Sequence, residues 1–218
     1  MKLKKTFASV LFFALAICAY GQNANRFPVW TYHKKNVNIH GISVGLGSSI
    51  ESERNTNTNG IKLELIGLGL FVPFQPEYPD FKNGYSERIN GLSLSAMGTV
   101  CDCLTNGLSV GAIAQTNNRV NGISATMYTN ITDKQNGIMA AFGNVSDVMN
   151  GIQLGGFNNS SEAHGVQLSF LVNFSAETRG LQIGAFNISD NLRGVQIGLW
   201  NVNQKRKLPL INWNFKRN

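Results

Sequence analysis

The 218-residue sequence predicts an all-β fold, and within it a β-solenoid of about ten coils, each of about fourteen or fifteen residues. Three observations carry that expectation. One short phrase is written four times in succession, as Gly151-Ile-Gln-Leu-Gly155, Gly165-Val-Gln-Leu-Ser169, Gly180-Leu-Gln-Ile-Gly184 and Gly194-Val-Gln-Ile-Gly198, with near-equal intervals between copies. A column of Asn, at Asn130, Asn144, Asn158, Asn173, Asn187 and Asn201, stands at an almost fixed distance after the repeat Gly of each copy. Apolar residues within a copy stand two apart, as in Leu181 and Ile183 or Phe186 and Ile188, which is the spacing of strands rather than helices.

In chain order, Met1 to Gly21 reads as a secretory signal. Lys2, Lys4 and Lys5 form a basic start, Phe7 to Ala19 is apolar, and Ala19-Tyr20-Gly21 offers small residues for cleavage. That apolar run falls short of the roughly 20 residues that a spanning helix needs. Loss of the three Lys lowers the formal charge from +7 to +4. The remaining basic runs, Lys205-Arg206-Lys207 and Lys216-Arg217, read as a solvated tail, and no nucleic-acid partner is expected.

Residues 22–36 form a polar leader or N-terminal cap carrying Phe27, Pro28, Trp30 and Tyr32. The repeat domain spans residues 37–203. Its early copies, at Gly41, Gly60 and Gly91, are widely and unevenly spaced, and the second gap, close to two periods long, holds a Pro- and aromatic-rich insertion near residues 71–89. An excursion on a regular scaffold is either a binding loop or a cover for an edge, and the second is preferred. From Gly91 through Gly107, Gly122, Gly137, Gly151, Gly165, Gly180 and Gly194 the intervals become regular. Residues 204–218 read as a C-terminal cap and basic tail, with Pro209 suited to an edge strand.

Two architectures place one strand in each such period. In a solenoid, like residues stack about 4.8 Å apart, so every coil needs the same bends and the same Asn. In the alternative, an up-and-down antiparallel β-barrel, successive turns fall at opposite ends and differ in chemistry. No such alternation follows Gly91, so the solenoid is favoured. Within each copy Gln153, Gln167, Gln182 and Gln196 lie between apolar neighbours and face the other way. With the apolar side taken as the core, these Gln are expected to form an outward polar ribbon suited to binding.

The units Asn150-Gly-Ile-Gln-Leu-Gly-Gly-Phe-Asn158 and Arg193-Gly-Val-Gln-Ile-Gly-Leu-Trp-Asn201 resemble the exported surface-repeat proteins of Gram-negative bacteria, with their tandem Asn-Gly-Val-Gln-Leu-Gly-Leu-Val-Asn units. The likeness implies export to the cell surface or outer membrane and a structural, adhesive or binding role. It implies no catalytic residues and no cofactor. Partners expected on this basis are cell-surface polysaccharide, protein or the outer membrane itself.

Motifs of catalysis dissolve into the repeat. Gly41-Ile-Ser43-Val-Gly45 and Gly107-Leu-Ser109-Val-Gly111 match G-x-S-x-G, but both Ser occupy the slot that Gln fills elsewhere, so no nucleophile is expected. His33, His40 and His164 show no metal-ligand spacing, and the last two replace the residue before a repeat Gly. Cys101 and Cys103, about 7 Å apart on a flat strand, read first as small buried residues, then as a disulfide, and last as a metal or redox pair.

Overall fold

The computed structural model describes residues 23–48, 54–74, 81 and 84–215. The expected signal, part of the Pro-rich insertion including Pro76 and Pro79, and Lys216-Arg217 lie outside the described residues. The chain is a β-solenoid of about eleven turns with coils of roughly 15 residues. One sheet runs β1 (Ala24–Arg26), β3 (Val37–Gly45), β4 (Thr56–Glu64), β5 (Glu87–Ser95), β6 (Val100–Gly111), β7 (Ala114–Ala125), β8 (Thr129–Ala140), β9 (Gly143–Ile183), β10 (Phe186–Val202) and β11 (Lys207–Asn214), with β2 (Val29–Thr31) also on β3. All pairings are parallel except that of β10 with β11. A barrel of alternating strands is thereby excluded.

Register is set Gly upon Gly: Gly41 pairs with Gly60, Gly60 with Gly91, Gly91 with Gly107, and so on to Gly180 with Gly194. Two constraints hold Gly in this column. Gly151 has φ +135°, a region that L side chains resist, and a Cβ placed there would lie 2.1 Å from the Gly137 carbonyl oxygen. Every turn thus brings backbone against backbone at one corner, closer than any side chain allows.

The irregular intervals leave the pairing of Gly with Gly intact. The long gap between Gly60 and Gly91 contains a short 3-10 turn, Gly69–Phe74, which inserts Val72 against Val100, Ala114 and Ile131. The described part of the insertion therefore covers an outer column of the sheet. The slightly longer interval before Gly107 is absorbed as a bulge between Cys101 and Leu104, where the register against β7 shifts.

Alternation of side chains along each strand holds, but its sense is opposite to the expectation. Gln153, Gln167, Gln182 and Gln196 are buried, whereas Phe157, Ile183, Phe186, Ile197 and Trp200 are exposed. Among the described residues buried polar side chains outnumber buried apolar ones. The solenoid has a polar interior and an apolar exterior.

Candidate functional site

Three features are built by this inversion: the polar ladders inside, a charged knot at the N-terminal end, and the outer faces. The ladders come first because they explain how a polar core holds. Gln167 donates from Nε2 to Gln153 Oε1 at 2.8 Å, Gln182 to Gln167 at 2.7 Å and Gln196 to Gln182 at 2.8 Å. Asn212 of β11 continues the chain onto Gln196 Oε1 at 3.3 Å. Each primary amide carries a donor and an acceptor, so a stack repeating along the axis satisfies both.

The Asn column is buried in the same way. Asn144 donates to Asn158 at 2.9 Å, Asn158 to Asn173 at 2.9 Å, Asn173 to Asn187 at 2.8 Å and Asn187 to Asn201 at 2.7 Å. Each also donates to a carbonyl on the next coil, as Asn173 does to Ile183 at 2.8 Å and Asn187 to Ile197 at 2.9 Å. These bonds span the bend, which explains why the copies from Gly122 onward carry the residue, while Gln115 holds the equivalent place in the coil before. The ribbon expected of the four Gln is corrected accordingly: their amides are committed to one another inside the coil and reach no outside ligand.

A second Asn ladder stands outside, before the repeat Gly. It runs from Asn59 through Asn90, Asn106, Asn121 and Asn136 to Asn150 with bonds of 2.6 to 2.8 Å. His164 continues it, with Nδ1 3.1 Å from Asn150 Oδ1.

The knot was not foreseen in the sequence. Lys62 fills the inward slot that Ser43 and Ser93 fill in the adjacent coils, and its ammonium is fully buried. It lies 2.8 Å from Glu87 Oε2, 3.0 Å from Glu64 Oε1 and 2.7 Å from Ser48 Oγ, and 4.5 Å over the Tyr32 ring. Arg54 Nη2 is 3.5 Å from Glu87, and Thr99 Oγ1 donates to Glu64 at 2.8 Å. Two cations thus face two carboxylates, which is what burial of charge demands.

Burial pulls the Lys62 pKa down, but Glu64 and Glu87 outweigh it and hold the ammonium's pKa above its ordinary value. Burial likewise opposes ionisation of Glu64, yet Lys62, Ser48 and Thr99 hold its pKa below the usual carboxylate range. Burial, reinforced by Glu64 and Glu87, drives the Tyr32 hydroxyl far up. Ser48 and Lys62 have the proximity of a nucleophile and base. Lys62 remains charged, however, so it has no lone pair with which to take a proton, and the knot reads as an ionic clamp. Ser43 and Ser109 are both buried; Ser43 accepts from Thr58 at 3.0 Å and Ser109 donates to Gln115 at 3.1 Å.

Beside the knot Cys101 and Cys103 are joined in a disulfide, their Cα atoms 5.2 Å apart. The flat-strand separation does not apply because the bulge pulls the two together. Cys103 Sγ is 3.7 Å from Glu87 Oε2. Asp102 accepts from Asn118 at 2.8 Å, and burial raises its pKa against that bond and one from the Ser86 backbone.

The outer surface is sorted by charge. Between Gly107 and Val202 every charged residue falls in the few positions before a repeat Gly: Arg119, Asp133, Lys134, Asp147, Glu162, Glu177, Arg179, Asp190 and Arg193, with His164 among them. The stretch from each Gly through the Asn column carries none. Outward on that stretch stand Ile183 and Ile197, then, past the bend at Gly184-Ala185, Phe157, Phe186 and Trp200, which are 44, 48 and 44% exposed. Phe142 packs edge-on against Phe157 at 5.4 Å and lies 5.8 Å from Phe170. At the last turn β11 extends these columns, with Trp213 beside Val195 and Ile211 beside Ile197, and Arg206 lies 4.6 Å over Trp213. No protein-family model, curated protein or solved structure matches the chain.

Proposed function

We propose that this chain is an exported, non-enzymatic surface scaffold that attaches through its uncharged outer faces. The observation that carries the reading is the inversion itself. The polar groups that ordinarily serve recognition are consumed inside, and the apolar columns that ordinarily form a core are outside. Half-exposed aromatic side chains and the aliphatic residues between them amount to on the order of 1,000 Å² of apolar surface, against roughly 300–600 Å² for the largest patch on an ordinary monomer. At about 25 cal/mol per Å², covering such a surface is strongly favourable. The leader-like start and the likeness to bacterial surface-repeat units support export; the full burial of Lys62 and Ser48 supports a structural rather than chemical role for the knot.

Phase partitioning tests the reading. The processed protein enters the detergent-rich phase of a clouding nonionic detergent. A Phe157→Asp/Phe186→Asp variant with unchanged far-UV circular dichroism stays in the aqueous phase. Aqueous partitioning of the native protein as a monomer would contradict attachment by these faces.

A further inference from the structure

We propose that the surface covering the outer faces is a lipid leaflet. The solenoid lies along the membrane, its apolar columns among the acyl chains, its charged edge in water and its last turn against anionic headgroups. This rests on the attachment reading above and names the partner.

Three observations select lipid. First, between Gly107 and Val202 the uncharged region is a whole sector of every coil rather than a spot, and the charged residues are gathered in the short arc before each repeat Gly. Hydrocarbon imposes that separation along the full length, whereas protein interfaces carry polar rims. Second, the sector bends. Ile183 and Ile197 stand on one side of Gly184-Ala185, and Phe186 and Trp200 on the other. A second copy packed flat covers one side and leaves the other wet, while acyl chains conform to both. On both sides of the bend the backbone is hydrogen-bonded in the parallel ladder, and across it the Gly184 N–H donates to Ile197 O and the Trp200 N–H to Ala185 O, which lowers the cost of placing this backbone in an apolar medium.

Third, the terminal turn has interfacial chemistry. Lys205 and Arg206 line a cleft with Trp213 and Phe215, and the Arg206 guanidinium lies over the Trp213 ring. Aromatic rings with basic groups beside them sit at headgroup level, and basic residues there strengthen binding to an anionic surface in a salt-dependent way.

Vesicle flotation decides it. Secreted, processed protein is mixed with vesicles of phosphatidylcholine, or of phosphatidylcholine with one quarter phosphatidylglycerol. The native protein floats with both and prefers the anionic vesicles at low salt. Phe157→Asp/Phe186→Asp lowers the floating fraction on phosphatidylcholine vesicles at least tenfold, Glu177→Lys on the charged edge leaves the fraction on those uncharged vesicles unchanged, and Arg206→Gln/Lys207→Gln abolishes only the anionic preference. Should the double Asp variant misfold, a second measurement needs no change on the faces: in a Trp30→Phe background, lipids brominated on their acyl chains quench Trp200 and Trp213.

Absence of flotation and of quenching by the folded native protein overturns the proposal. If that protein instead forms dimers by sedimentation, lost on changing Phe157 and Phe186, lipid is wrong and attachment through these faces stands, with a second copy as partner. If it neither floats nor associates, both fail.

Discussion

Gln182 donates its amide to Gln167 and accepts that of Gln196, at 2.7 and 2.8 Å, with no exposure to solvent. A leucine at position 182 would keep the volume and break both links, leaving the Gln167 oxygen without its donor and the Gln196 amide without one acceptor. The expected cost is about 1–3 kcal/mol, read as a lower denaturant midpoint. An outward Gln would tolerate the change within about 0.5 kcal/mol.

The Gly column predicts a sharper contrast. At Gly180 φ is +145° and an added Cβ would meet the Gly165 carbonyl oxygen at 2.0 Å, so Gly180→Ala must separate two coils. At Gly143 φ is ordinary and the nearest atom would be 3.5 Å away. Gly180→Ala is expected to lower stability by at least about 3 kcal/mol, while Gly143→Ala should lie within about 1 kcal/mol of the native protein. Thermal melts of the two variants make the comparison.

The ionic knot gives stability a dependence on pH with a definite sign. Glu64 is held below its ordinary 4.5, so its contribution is in place above that pH and is lost as pH falls through the lower folded value. Lys62 is held above its ordinary 10.5, so its contribution is in place below that pH and is lost as pH rises through the higher folded value. Urea titrations should show a plateau between these limits. Glu64→Gln should blunt the acid limb, and Lys62→Met should cost about 3–5 kcal/mol at neutral pH by leaving two buried carboxylates without their shared cation.

The period, the Gly corner and the Asn bend were legible because each recurs in register, and stacking is the simplest arrangement that needs identical residues in every coil. Alternation placed Gln182 opposite Leu181 and Ile183 but could not say which side was inside. That step borrowed the habit of apolar cores, which fails where amides can stack. The cue that discriminates was present: every charge between Gly107 and Val202 sits in one short arc, which leaves the rest of each coil's outer surface without a charge to solvate. Lys62 was legible only as a basic residue in a Ser and Gln slot. Its partner Glu87 lies 25 residues away, across an insertion that hides the register.

Cys101 and Cys103 show the same limit at a smaller scale, since the longer interval before Gly107 signals a bulge but not its position. Their bridge closes a very short loop, so loop entropy can contribute only about 1.5 kcal/mol. Cys101→Ser/Cys103→Ser should therefore fold, with a small loss in midpoint, and the denatured protein should resist alkylation at Cys101 and Cys103 until reduced. Collapse of the double variant would assign the bridge a larger part than its span allows.

Ile183 and Ile197 are directly paired on adjacent coils and both point outward, 36 and 40% exposed. Nitroxide labels at these two positions test the parallel, polar-cored solenoid most directly, by electron paramagnetic resonance. Strong spin–spin broadening is expected, since the labelled backbones are a single inter-strand spacing apart, together with mobile spectra relaxed by dissolved oxygen. Labels that are uncoupled, or coupled but immobile and shielded from oxygen, would contradict it.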